Sequence, residues 1–140
     1  MKISYGLTVC NEHEELLNLI TYLKDRIDSE DEIVVVYDQN RVTDEVINIL
    51  DQYKNDIHSY PFNFQQNFLE NKNFMNSKCS GDYIFQIDAD EVPSEYLVEN
   101  LSEFIEFNKD VDLFFIPRIN TVEGLTKEHI KKWIKEQADK

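Results

Sequence analysis

Asp88-Ala89-Asp90-Glu91 places three carboxylates within four residues, directly after the apolar run Tyr83-Ile84-Phe85-Gln86-Ile87. That run has the composition of a buried strand, so Asp88 and Asp90, two apart, can point to the same side of its end. Carboxylates this close repel one another unless a cation sits among them. A hard divalent ion, Mg²⁺ or Mn²⁺, suits such a group: it takes one or two protein carboxylates and fills its shell with water and phosphate oxygens. The chemistry on offer is neutralisation of a diphosphate leaving group as the bond to it breaks. A solvated acidic turn ahead of a helix at Pro93 is the plainer alternative.

Three other uses of these residues fare worse. Asp88, Asp90 and Glu99 occupy positions one, three and twelve of a calcium loop, but Pro93 stands where that loop needs Gly, and a strand rather than a helix leads in. A phosphoacceptor domain built on Asp38 would want an acidic pair after the first strand, where this chain has Thr8-Val9-Cys10-Asn11. A dinucleotide site is poorer still, since the chain holds only three Gly and no GxGxxG.

The elements that must position the cluster alternate. Ile3 to Cys10 reads as a strand, and Leu16, Leu17, Ile20 and Leu23 as the stripe of a helix. Ile33-Val34-Val35-Val36-Tyr37 is the strongest strand signal, apolar on both faces as in a parallel sheet. Asp38-Gln39-Asn40 makes a turn, and Thr43 caps a helix buried through Val46, Ile47, Leu50 and Tyr53. Ile57 to Tyr60 is a short strand stopped by Pro61. Phe64 to Lys78 is a helix ended by Ser80-Gly81. Tyr83 to Ile87 is a further buried strand. A helix from Pro93-Ser94 buries Leu97, Val98, Leu101, Phe104 and Ile105. Leu113 to Ile116 and Thr126 to Ala138 complete the pattern as strand and helix.

This alternation predicts an α/β fold: a Rossmann-like, mainly parallel sheet with helices on both faces, in one domain. Ligands of such sheets bind at the carboxyl ends of the strands. Thr8, Asn11, Glu12, Asp38, Asp88, Asp90 and Glu91 should therefore crowd onto one edge.

Net charge is −14, from 28 acidic and 14 basic residues. That sign disfavours nucleic acid and anionic membrane surfaces as partners, yet permits a phosphate ligand where a bound cation inverts the local field. The excess is confined to residues 1–124, which hold 25 acids and 9 bases. No apolar run reaches the roughly 20 residues of a membrane span, and the N-terminus has no signal-peptide pattern. Cys10 and Cys79 stand apart, without CxxC spacing, and read as buried reduced thiols. A cytoplasmic location is the expectation. His13, His58 and His129 are scattered and read as structural or surface residues.

Taken in order, Leu7-Thr8-Val9-Cys10-Asn11-Glu12, Glu32 to Asp38, Asn71-Lys72-Asn73, Ser80-Gly81-Asp82-Tyr83-Ile84 and Asp88-Ala89-Asp90-Glu91 resemble a family 2 glycosyltransferase of GT-A fold over roughly residues 3–118. The stretch from Asn71 to Glu95 is most similar to the lipopolysaccharide-core β-1,4-glucosyltransferase branch. The resemblance implies a UDP-sugar donor, a Mn²⁺ or Mg²⁺ cofactor, and a glycan or lipid-linked acceptor. It would place Thr8 and Glu12 in the nucleoside pocket and Asp38 on the base or ribose. Lys72 would lie near the phosphates, Asp88 at the ribose or metal-bound waters, and Asp90 on the metal.

Two departures qualify it. The turn Asp38-Gln39-Asn40-Arg41 lacks the Gly-Ser character usual after the second strand, which bears on donor preference. The chain also stops 50 residues after Asp90, so residues 1–112 read as the nucleotide-sugar- and metal-binding core. Residues 113–140 read as the start of a shortened acceptor half, entered through Pro117 to Gly124 and containing Trp133. A shortened half would leave apolar surface open to self-association. The general base of an inverting displacement stays unassigned, with Glu91 and Glu123 the nearby carboxylates. Three readings remain open: a metal-dependent inverting transferase, a nucleotide- and metal-binding module without activity, and an acidic interaction protein.

Overall fold

β1 (Ile3–Val9) and β2 (Glu32–Asp38) pair in parallel, with Tyr5 opposite Ile33 and Thr8 opposite Val36. Ile33 through Val36 are all buried, as continuous apolar character on both faces requires. Fully burying each such side chain contributes about 1.5–3 kcal/mol. A computed structural model describes residues 1–64 and 68–108. Those residues divide into two compact units, Met1–Pro93 and a second beginning at Ser94.

The first unit continues through α1 (His13–Lys24), α2 (Asp44–Gln52), β3 (His58–Phe62), α3 (Phe68–Lys78) and β4 (Tyr83–Asp88). The sheet is four-stranded, all parallel, in the order β3-β2-β1-β4. From β1 the chain steps outward to β2 and β3; it then returns across the sheet to place β4 on the other side of β1. Right-handed crossovers put α1 and α2 on one face and α3 on the other. In keeping with this, α1 packs on α2, and Met75 of α3 lies against Gly6 of β1. The strand order therefore reverses between β1 and β4.

Local signals explain most boundaries. The Thr43 hydroxyl accepts from Val46 N at 3.4 Å and caps α2, as expected. The stripes keep most of the expected residues and differ at a few positions, Tyr53 among them being half-buried. α1 buries Leu19 with Leu16, Ile20 and Leu23 while Leu17 is half-buried; α2 buries Ile49 with Val46 and Leu50 while Ile47 is 39% exposed. In short amphipathic helices with apolar residues at adjacent positions, spacing alone leaves the face's centre ambiguous.

Pro61 does not stop β3 but lies inside it, opposite Tyr37. Gln39 N donates to Phe62 O at 3.0 Å, so Phe62 turns its peptide groups to β2 and Pro61 faces away. Its missing N–H is not needed there, because β3 is an edge strand among the described residues. Phe64 lies in a turn rather than the helix. β4 differs too: among the described residues it is an edge strand, and Ile84 is 38% exposed rather than buried.

Gly81 serves close approach rather than a helix stop. A Cβ there would lie 2.7 Å from Ser4 N and 2.9 Å from Lys2 O. Around it, the buried Ser4 hydroxyl donates to Glu32 Oε2 at 2.5 Å and accepts from Gly81 N at 2.8 Å; Ser80 N reaches the same Glu32 oxygen at 2.6 Å. This network ties the amino ends of β1 and β2 to the turn entering β4.

In the second unit, Ser94 caps α4 (Glu95–Phe107) by accepting from Leu97 N at 3.1 Å, and Leu97, Val98, Leu101 and Ile105 are buried. The expected strand at 113–116, helix at 126–138, boundary at 112/113, and Glu123, His129 and Trp133 lie outside the described residues. No helix among the described residues is long and apolar enough to cross a membrane.

Candidate functional site

Thr8 and Asp88 lie at the carboxyl ends of β1 and β4, at the point of reversal, and stand directly opposite each other. The Thr8 hydroxyl donates to Asp88 Oδ1 at 2.7 Å, and Ala89 N continues the ladder to Thr8 O at 2.9 Å. Ala89 is buried, which turns its neighbours Asp88 and Asp90 outward. The loop then folds back on itself: Asp88 N donates to Glu91 Oε1 at 3.0 Å, and Glu91 N to Asp88 O at 2.9 Å. One carboxylate oxygen each from Asp88, Asp90 and Glu91 lies within 4.8 Å of the others. Asp90 is exposed and makes no hydrogen bond or ion pair among the described residues. An all-oxygen set on this scale fits a hard divalent cation, with Asp90 the readiest ligand.

Beside this cluster a small recess opens between α3 and the β1–β4 boundary, lined by Gly6, Thr8, Lys72, Met75 and Asp88 among others. Lys72 Nζ donates to Gln86 Oε1 at 2.6 Å, and Gln86 Nε2 to Asn76 Oδ1 at 2.9 Å. The strand residue Gln86 thus aims the cation of α3 along the recess wall. Neither Gln86 nor Asn76 stands out in the sequence, since an isolated amide carries no motif.

A second group forms at the ends of β1 and β2. Asp38 is only 2% exposed. Its Oδ1 accepts from Asn40 N at 3.0 Å, and Arg41 Nε approaches Oδ2 at 3.9 Å. The Cys10 thiol lies 3.9 Å from that same oxygen, and Cys10 N donates to Glu12 Oε2 at 2.8 Å. Cys10 therefore bridges Asp38 and Glu12. Both cysteines are free, but they are half-buried rather than fully buried as expected. Burial, then Glu12 and Asp38, push the Cys10 thiol above its ordinary value. Asp38 does form the turn, so any ligand contact it makes is additional.

The expected site residues thus fall into two adjoining groups on one sheet edge: Thr8, Lys72, Asp88, Asp90 and Glu91 in one, Asp38 and Glu12 in the other, where Cys10, read from the sequence as a core thiol, joins them. Of the histidines, His13 begins α1 and His58 is exposed on β3.

A β3-β2-β1-β4 parallel sheet with carboxylates massed at its reversal defines a Rossmann-like α/β domain. Residues 4–139 match the family model for glycosyl transferase family 2, and the chain belongs to that family. Among solved structures, the S. aureus TarS fragment 1–349 is 21% identical with a TM-score of 0.62, the match covering 84% of this chain and 39% of that one. The same fragment in complex with UDP-GlcNAc gives 20% identity and a TM-score of 0.61, covering 84% of this chain and 37% of that one. The mannosyltransferase PcManGT from Pyrobaculum calidifontis, in complex with GDP-Man and Mn²⁺, is 13% identical with a TM-score of 0.63, covering 87% and 36%. The matched region is thus well under half the length of each. No curated protein sequence matches the chain.

Proposed function

We propose that this chain is the donor-binding half of a metal-dependent, inverting glycosyltransferase that uses a UDP-sugar. The observation that carries the reading is the trio of carboxylate oxygens from Asp88, Asp90 and Glu91, within 4.8 Å of one another at the strand-order reversal. Family membership and the UDP-GlcNAc and GDP-Man complexes of proteins with the same fold support it.

Asp90 and Asp88 hold Mn²⁺ or Mg²⁺, which when bound offsets the charge that develops on the departing diphosphate. Thr8 fixes the direction of the Asp88 carboxylate. Asp38 and Glu12 face the base and ribose from the ends of β2 and β1, and Lys72 adds positive charge on the recess side. Glu91 braces the loop through Asp88 N, a structural task that argues against its serving as the general base. The resemblance to the lipopolysaccharide-core glucosyltransferase branch, carried by Asn71 to Glu95, favours glucose as the sugar and a cytoplasmic setting.

Thermal melting tests this. UDP with Mn²⁺ should raise the melting temperature, and Asp90→Asn should abolish the metal-dependent part. No shift at millimolar UDP with metal would leave the acidic interaction protein as the reading. Metal-dependent binding without hydrolysis or transfer of a UDP-sugar would identify a binding module lacking its catalytic partner.

A further inference from the structure

Asn71 lies on α3 facing the β1–β4 boundary and lines the recess with Gly6, Thr8, Lys72 and Asp88. Its Oδ1 is buried and has no hydrogen-bond partner among the described residues. Polar groups around it are engaged: Thr8 with Asp88, Lys72 with Gln86, Gln86 with Asn76. Buried polar atoms are normally satisfied, and one that is not calls for a reason. Here the reason lies in the recess, which has room for about one water-sized group.

The chemistry of the atom narrows what completes it. An amide oxygen only accepts, so its partner must bring a hydrogen or a positive charge. A phosphate oxygen brings neither. A hard cation such as Mg²⁺ keeps several waters and is too large for the space. A hydroxyl group fits both size and polarity.

We propose that Asn71 is a specificity-determining residue whose carboxamide oxygen accepts a hydrogen bond from one hydroxyl of the bound nucleotide sugar, inserted in the recess. This rests on the donor-binding reading above. The hydroxyl belongs to the ribose or to the transferred sugar, and the ligand series below separates them.

The test measures affinities of wild type and Asn71→Leu, in Mn²⁺, for UDP, 2′-deoxy-UDP, 3′-deoxy-UDP and UDP-glucose. Leu keeps the branched shape and removes the acceptor, and the smaller Asn71→Ala controls for its extra bulk. Asn71→Leu should lose about tenfold in affinity for the ligand carrying the recognised hydroxyl, and none for its counterpart lacking it. Loss with UDP that vanishes for one deoxy ligand assigns the ribose; loss confined to UDP-glucose assigns the sugar. The ligand-free variant should melt no lower than wild type, because an unpaired buried acceptor has been removed. Should it melt much lower, Asn71→Ala supplies the same comparison with less steric demand. Equal affinities of wild type and variants across the series would overturn the inference alone and leave a trapped water as the partner of Oδ1. Failure of wild type to bind any of the four would overturn the donor-binding reading together with it.

Discussion

Thr8 and Asp88 meet in register across the β1–β4 boundary, where the order of the sheet reverses, hydroxyl to carboxylate at 2.7 Å. The contact joins the ends of β1 and β4 and sets the direction of the first acidic side chain in the cluster. Thr8→Val keeps the shape and removes the donor. Hydrogen bonds to charged groups are worth about 1.5–3 kcal/mol, and solvent access to this half-buried one puts its loss near the lower end, about 1–2 kcal/mol in urea unfolding. Metal-dependent UDP affinity should fall severalfold, with Thr8→Ser near wild type in both. A Val variant matching wild type in stability and affinity would show that Asp88 is positioned by something else.

The two close-packed glycines should respond unequally to a methyl group. At Gly81 the obstacles are the Ser4 hydroxyl at 2.6 Å and two backbone atoms, Ser4 N at 2.7 Å and Lys2 O at 2.9 Å; at Gly6 the obstacle is the Met75 thioether. A methionine side chain can swing aside, whereas the β1 backbone cannot move without losing its ladder. Gly81→Ala should cost about 2–3 kcal/mol and Gly6→Ala about 1 kcal/mol, the range for overpacking. Chemical denaturation of both variants checks the order, and the reverse order would contradict it.

Glu32 gives a pH dependence of known sign. Burial pushes its carboxyl up, but the Ser4 and Ser80 hydrogen bonds and Lys2 outweigh this and leave it below its ordinary value of 4.5. A lowered folded-state value means stability that is fully present above about pH 4.5 and lost as pH falls through the lower folded value. Burial moves Asp31 the opposite way, so the total curve mixes signs. The difference curve between wild type and Glu32→Gln isolates the effect: the gap in unfolding free energy should shrink below about pH 4.5 and hold steady above it. A gap that widened on acidification would contradict the network.

Cysteine labelling reports on the second group of site residues. Burial and Glu32 push the Cys79 thiol up to about 11, and burial with Glu12 and Asp38 raises Cys10 as well. Thiolate is the reactive form, so both should react with iodoacetamide more slowly at about pH 7.5 than in the unfolded chain. UDP with Mn²⁺ should slow Cys10 further and leave Cys79 unchanged, as followed by peptide mass spectrometry. Equal protection of the two, or none, would separate Cys10 from the ligand site.

Local pattern carries much of this in the sequence and stops where geometry becomes nonlocal. Unbroken apolar character from Ile33 through Val36 announces a strand buried on both faces, and Asp88 and Asp90 at a strand end announce the acidic edge. The place of β4 beside β1 is not legible, because strand order depends on the crossover from β3 and leaves no trace in spacing. That placement is what makes Thr8 and Asp88 partners and β4 an edge. The pairing of Cys10 with Asp38 also needs the β1–β2 neighbourhood, so composition alone makes Cys10 a core thiol. Asn71 is visible in the sequence only as part of Asn71-Lys72-Asn73; its unpaired oxygen is a property of packing.

Titration calorimetry of UDP into the protein, in Mn²⁺ and again in excess chelator, tests the central claim most directly. Wild type should bind UDP in Mn²⁺ with one site and lose at least about tenfold in affinity, about 1.4 kcal/mol, when the metal is removed. Asp90→Asn should show the weak, chelator-like affinity under both conditions while melting like wild type without ligand. UDP affinity indifferent to metal, or an Asp90→Asn protein that binds as wild type does, would contradict the assignment of Asp88-Ala89-Asp90 as a diphosphate–metal clamp.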